Sequence, residues 1–182
     1  MILFSALLAA SLEITGVRGE RLRPLEPSGI ANVLVFTSTD CPISNGYAPE
    51  IQRVCDAYAA RGVRCLLVYE DVGLTAGAAR AHLSDFRYGA MPAAIDADGR
   101  LAARVGATIT PEVAVVDRAG AVRYRGRIDN KYVTLGRARR TVTVHDLTNA
   151  LDALIDGKPV SVPAAEAVGC VIVSPDMRRR NP

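Results

Sequence analysis

Much is missing from this 182-residue chain, and each gap removes a class of function. No apolar run is long enough to cross a bilayer; the longest, Met1 to Leu12, has the length of a signal-peptide h-region. Lysine is nearly absent, 2 against 20 arginines, and the net charge of +3 is too small to imply a nucleic-acid or membrane-surface partner. There are only two histidines, His82 and His145, too few for a histidine-built metal centre. Four cysteines are too few for a disulfide scaffold in a chain long enough to bury its own core. No internal repeat or low-complexity block interrupts the chain, apart from the basic Arg178-Arg-Arg180 tail.

What is present centres on Val33 to Glu50. Five apolar or strand-favouring residues, Val33 to Thr37, lead through short polar ones to Cys41-Pro42. There an amphipathic pattern opens, with Tyr47, Ile51, Val54 and Tyr58 on one helical face. Proline suits the first helical turn because its missing N–H has no partner there anyway. The spacing therefore predicts strand, turn and helix, with Cys41 near the N-cap. Helix-start N–H groups and the positive end of the dipole favour the thiolate. A free thiol of pKa ~8.5 is about 3% ionised at neutral pH, whereas a shift to ~6.5 ionises about three quarters.

The remaining chain reads as further α/β structure. Val63 to Tyr69, after the stop signal Gly62, has the nearly continuous apolar character of a parallel strand buried on both faces. A helix over 75–88 with Ala79, Leu83 and Phe86 inward, a short strand over 93–95 and a helical segment over 101–106 follow. Glu112 to Val116 and Ala121 to Tyr124 predict an antiparallel hairpin. Residues 125–144 read as a long basic loop. Asp146 then reads as the cap of a helix facing the core through Leu147, Ala150, Leu151, Leu154 and Ile155, ended by Gly157 and Pro159. The organisation expected is a signal peptide or N-terminal helix over 1–15, a linker or edge extension over 16–30, one domain over 31–175 and a basic tail over 176–182.

Cys41-Pro-Ile-Ser44 resembles the Cys-x-x-Cys motif of thioredoxin-fold proteins with serine in place of the second cysteine. Pro49, eight residues on, is similar to their helix proline, and Thr110-Pro111-Glu112 before an apolar strand to their cis-proline segment. With Gly169-Cys170 near the end, the pattern most resembles bacterial redoxin-domain (AhpC/TSA-like) proteins, over roughly Ala31 to Ile172. The resemblance implies a thioredoxin-like three-layer α/β sandwich, a central mixed sheet flanked by helices. It also implies a thiol–disulfide oxidoreductase that meets a protein or small-molecule thiol or disulfide substrate and a reducing partner; export is expected from the signal-like run Met1 to Leu12 alone, a cytoplasmic location being the alternative. No cofactor, metal, nucleic acid or stable membrane span is expected.

Under this resemblance the catalytic residues are Cys41 as nucleophile, Ser44 as hydrogen-bond partner of its thiolate, Pro111 as platform for a substrate strand, and Cys170 as resolving thiol. Cys170 stays open between a disulfide with Cys41 and an unpaired strand residue, because sequence does not give their separation. Cys41 is expected at the surface, since Thr39, Asp40, Ser44 and Asn45 surround it. Cys55 and Cys65 read as inert, buried apolar fillers.

Three other functions keep a foothold. Peroxidase chemistry wants a proline where Leu34 stands, although Ser38 sits three residues before Cys41 and Arg123, Arg125 and Arg127 are available. A Sco-like copper chaperone would need Cys41, Cys170 and His145 together, with Asn45 standing where its second cysteine belongs. A non-catalytic binding module would dock an acidic partner on Arg137, Arg139 and Arg140.

Overall fold

Strand, turn and helix follow one another from Ala31 onward as the hydrophobic pattern dictates. The structure, a computed structural model, describes residues 12–173. The apolar run at 1–11 and the basic tail lie outside the described residues. In chain order the elements are β1 (Ile14–Thr15), β2 (Arg21–Leu22), β3 (Ala31–Thr37), α1 (Pro42–Ala59), β4 (Val63–Tyr69), α2 (Ala76–Asp85), β5 (Ala93–Ile95) and α3 (Arg100–Val105). Then come β6 (Ile109–Thr110), β7 (Glu112–Asp117), β8 (Val122–Gly126), β9 (Tyr132–Thr134), β10 (Arg137–Ala138), α4 (Asp146–Ile155), β11 (Ala164–Ala165) and β12 (Cys170–Val171).

Six strands form the central sheet in the order β11-β8-β7-β3-β4-β5. β3, β4 and β5 run parallel; β7 is antiparallel to β3 and β8 to β7; β11 lies parallel to β8. β3 sits at the centre and alternates its side chains between two cores. Val33 and Val35 face a cluster with Ile43, Tyr47 and Ile51 of α1, Ala79 and Leu83 of α2, and Leu147 and Leu151 of α4. Leu34 and Phe36 face a second cluster with Leu101, Ala102 and Val105 of α3. Both faces of β3 are covered, which is why Val33 to Phe36 are all apolar. The helical face of α1 is the one its spacing predicts, with Tyr47, Ile51, Val54 and Tyr58 all buried. The chain leaves α1 through Gly62 at φ +80°, a left-handed conformation that glycine takes without steric cost.

Several local expectations are corrected. The boundary expected at residue 15 falls inside the β1–β2 hairpin, and of the two readings of 16–30 the edge extension fits, since Gly16 bridges to Ala94 beside β5. Residues 125–144 are not one open loop: β8 extends to Gly126, and β9 pairs with β10 around a tight turn. Helix α2 is shorter than its apolar pattern and ends at Asp85. His145, not Asp146, is the N-cap of α4. Asp146 lies in the first turn, where its carboxylate accepts from Arg127 Nε at 2.7 Å.

The reading of Cys55 and Cys65 as separate apolar fillers is also corrected. They form a disulfide between α1 and β4, Cα to Cα 5.9 Å and 10 residues apart in sequence. Closing so small a loop still removes chain entropy from the unfolded state, worth about 3 kcal/mol. Replacing both with alanine is expected to lower the unfolding free energy by about that amount in urea titration, with the denaturant slope little changed.

Candidate functional site

The turn between β3 and α1 is held by a carboxylate that follows β4. Asp71 Oδ1 accepts from Ser38 Oγ at 2.7 Å, from Thr39 N at 3.0 Å and from Thr39 Oγ1 at 3.0 Å. On the other side Asn45 Nδ2 donates to Thr39 O at 2.9 Å. Its Oδ1 faces Nε2 of His82 at 2.9 Å, and Nδ1 of that ring faces Tyr69 Oη at 2.9 Å. Since the Asn45 oxygen can only accept, His82 carries its proton on Nε2 and Tyr69 donates to Nδ1. Burial pushes the His82 pKa down, so the ring is a neutral strut in this network. Thr39 and Asn45 are thus bonded within the turn, and of the polar residues around Cys41 Asp40 is the exposed one.

Cys41 is the N-cap of α1, in extended conformation with Pro42 following. It is 1% exposed, against the expectation of a surface cysteine. Its sulfur lies 3.2 Å from Thr110 O, an acceptor for the thiol. The Thr110–Pro111 peptide is cis. On the other side stands Cys170, its Sγ 2.7 Å from Cys41 Sγ. Neither cysteine is in a disulfide in this structure. Burial pushes the Cys41 thiol up, but the Cys170 thiol and the N–H and hydroxyl of Ser44 stabilise the anion, and the net direction is down. Burial and the neighbouring Cys41 anion push Cys170 up to about 11. Ser44 is fully buried, and its hydroxyl makes no hydrogen bond of good geometry. It acts on the sulfur as a nearby dipole.

What buries Cys41 is the end of its own chain. β12 runs antiparallel to β6, Cys170 opposite Thr110 and Val171 opposite Ile109. Ile172 N donates to Thr108 O at 2.9 Å, and the Ile172 side chain is buried in the second core. Upstream, β11 is bonded to β8 through Arg125 N to Pro163 O at 3.0 Å and Arg127 N to Ala165 O at 3.2 Å. The result is a strap across the site, fixed at both ends. Gly169 is where it passes closest: a Cβ there would come within 2.0 Å of Thr110 O. The backbone before Pro111, expected as a platform for a substrate strand, is therefore already paired with this chain.

The residues expected for other functions lie elsewhere or are engaged. His145 groups with Glu50 and Asp129, the one metal-competent cluster among the described residues, and not with the two sulfurs. That cluster borders a cavity of about 770 Å³ to which neither Cys41 nor Cys170 contributes. Ser38 is committed to Asp71, and Arg123, Arg125 and Arg127 pair with Asp117, Glu112 and Asp146. Sequence reasoning brought out Cys41, Ser44, Pro111 and Cys170, all of which meet here. It missed Asp71, Asn45 with His82, and the close approach of Gly169. A glycine directly before a cysteine was the available signal for the last.

The sequence matches no known protein-family description and no curated protein. Solved structures do match. A hypothetical protein from Sinorhizobium meliloti superposes with TM-score 0.76 at 24% identity, over 91% of this chain and 92% of that one. An uncharacterized conserved protein from Geobacillus kaustophilus gives TM-score 0.75 at 24% identity, over 90% and 88%. A secreted Mycobacterium tuberculosis disulfide oxidoreductase homologous to Escherichia coli DsbE gives 0.54 at 18%, over 81% and 96%. The fold is thioredoxin-like. Its central mixed sheet with flanking helices is the architecture expected from the sequence, and the similarity to disulfide oxidoreductases is distant. On this thioredoxin-like frame the second sulfur beside Cys41 belongs to Cys170 of the strap.

Proposed function

We propose that this protein is a redoxin-like thiol–disulfide oxidoreductase whose working pair is Cys41 and Cys170. One observation carries the reading: two thiols 129 residues apart in sequence meet at a helix start with 2.7 Å between their sulfurs. A disulfide needs them only about 0.7 Å closer. The opposite displacement of their pKa values supports it, because a redox pair works when one sulfur ionises readily and the other holds its proton. In oxidation the two thiols lose two electrons and two protons, and an acceptor disulfide becomes two thiols. In reduction the flow reverses, and the substrate is a protein or small-molecule thiol or disulfide. We further read the protein as exported. The Cys55–Cys65 disulfide supports this, since such bonds persist in oxidising compartments.

The reduced chain, equilibrated with a glutathione redox buffer, acid-quenched, alkylated and digested, is expected to yield a linked Cys41–Cys170 peptide pair. Cys41→Ser and Cys170→Ser are each expected to lower exchange with a dithiol peptide by about three orders of magnitude, because the intramolecular step loses its effective molarity. Recovery of both thiols unlinked under oxidising conditions, or parental turnover in either variant, would sink the proposal.

A further inference from the structure

We propose that Cys170, and not Cys41, is the sulfur through which the oxidised pair exchanges with its partner: an incoming thiolate attacks Cys170 Sγ, and Cys41 departs. This rests on the oxidoreductase reading and reverses the roles that motif position assigns.

Accessibility is the first ground. Cys41 is 1% exposed, enclosed by the turn, the Thr110 carbonyl and the strap, whereas Cys170 is partly exposed and its neighbour Val171 is 67% exposed. Exchange requires the nucleophile to approach along the S–S axis, from the far side of the sulfur attacked. For Cys41 that approach runs through packed protein. Cys170 is only part-buried and is the more open of the two.

The strap is the second ground, because it is fastened too well to be the moving part. β11 on β8, β12 on β6 and the buried Ile172 hold it on both sides of Cys170. With β6 already paired, a partner cannot reach Cys41 by adding a strand there. The class of partner that fits is a dithiol whose sulfur protrudes, a small molecule or a loop-borne cysteine, and not an extended segment laid along β6.

The steps balance. The partner thiolate forms a bond to Cys170 Sγ, the Cys41–Cys170 bond breaks, and its electron pair leaves on Cys41 as thiolate. The partner's second thiolate then attacks its own sulfur in the mixed disulfide. The partner's disulfide forms, and Cys170 is released as thiolate and takes up a proton. The partner loses two electrons and two protons; the pair gains both electrons and one proton, on Cys170, and the other proton goes to solvent while Cys41 stays a thiolate. When Cys41 departs, Cys170 carries no proton, so the groups that remain to receive the charge on Cys41 are the N–H and hydroxyl of Ser44 at the start of α1.

Two measurements test this on the full chain. In the first, oxidised parent protein is mixed with excess glutathione, acid-quenched at the shortest times and digested. The expected adduct is glutathione on Cys170 with Cys41 free; an adduct on Cys41 with Cys170 free overturns the proposal. Should no Cys41–Cys170 link form beforehand, the oxidoreductase reading falls as well, so the two failures are distinguishable. In the second, the reduced single variants meet a bulky aromatic disulfide. Cys170 in Cys41→Ser is expected to react about tenfold faster or more than Cys41 in Cys170→Ser, and the reverse order overturns the assignment.

Discussion

Gly169→Ala is expected to pull the two sulfurs apart and raise the reduction potential of the pair by about 30 to 60 mV, the equivalent of a 10- to 100-fold loss in the tendency to close. The added Cβ would lie 2.0 Å from Thr110 O, 2.7 Å from Thr110 C and 2.9 Å from Ile109 Cγ2. Two of these atoms are backbone of β6, and Thr110 is 2% exposed, so the frame does not yield and the strap must. Once it lifts, Cys170 no longer stands over Cys41, and Cys41 becomes open to bulky thiol reagents. The cost in global stability is smaller, about 1 to 3 kcal/mol, because the Ile172 side chain is the main apolar group of this strand that leaves the core. Equilibration against glutathione buffers gives the potential, and timed alkylation gives the exposure of Cys41. Val171→Ala serves as control, since that side chain faces solvent and its loss is expected to change neither quantity. A Gly169→Ala protein with parental potential and parental labelling would mean that the strap does not hold the pair together.

The frame was legible in the sequence because its signals are local. β3 and β4 carry unbroken apolar stretches, Val33–Phe36 and Cys65–Tyr69, since each is covered on both faces there, and Pro42 with the Tyr47, Ile51, Val54, Tyr58 spacing marks α1 without ambiguity. The meeting of Cys41 with Cys170 was left open because it depends on chain closure over 129 residues, and nothing in the local pattern around Cys170 says what its strand pairs with. The Cys55–Cys65 bond failed for a related reason. A helix position and a strand position 10 residues apart look like two fillers until the turn at Gly62 folds one onto the other. The burial of Cys41 ran against the polarity of its neighbours. Thr39 and Asn45 are polar because Asp71 and His82 need partners, and a segment full of short polar side chains can be internally satisfied as well as solvated.

The satisfied turn also fixes where the start of α1 presents its cysteine. Asp71, Asn45 and His82 fix the backbone from Ser38 to Cys41, leaving the sulfur no other direction than toward Thr110 and the strap. Ser44 contributes a dipole beside the sulfur, and the second thiol of the site is that of residue 170. Sequence distance is then no handicap, because the strap is fastened within two residues of that thiol by the Ile172 amide.

The reduced protein is expected to release its two site protons in well-separated steps. Burial opposes ionisation of Cys41, yet the hydrogen bond from Cys170 and the groups of Ser44 outweigh it, so the first proton leaves below the ordinary thiol value. The second leaves Cys170 only near pH 11, because burial and the adjacent anion both resist it. In between, one proton bridges two sulfurs. The signs for stability follow by linkage. Cys41, depressed in the folded state, contributes stability that is present above the unfolded thiol value of about 8.5 and is lost as pH falls through its folded value. Cys170, raised in the folded state, contributes stability that is present below about 8.5 and is lost as pH rises through 11. The reduced form should therefore be most stable, relative to an oxidised form that lacks both titrations, near pH ~8.5. Cys170→Ala removes the leading cause that lowers Cys41 and leaves burial in place, so the Cys41 titration should move upward. Thiolate absorbance of the reduced protein against pH reads both steps. A single unresolved step for two thiols near pH ~8.5, unchanged for Cys41 in Cys170→Ala, would show that the sulfurs do not share a proton.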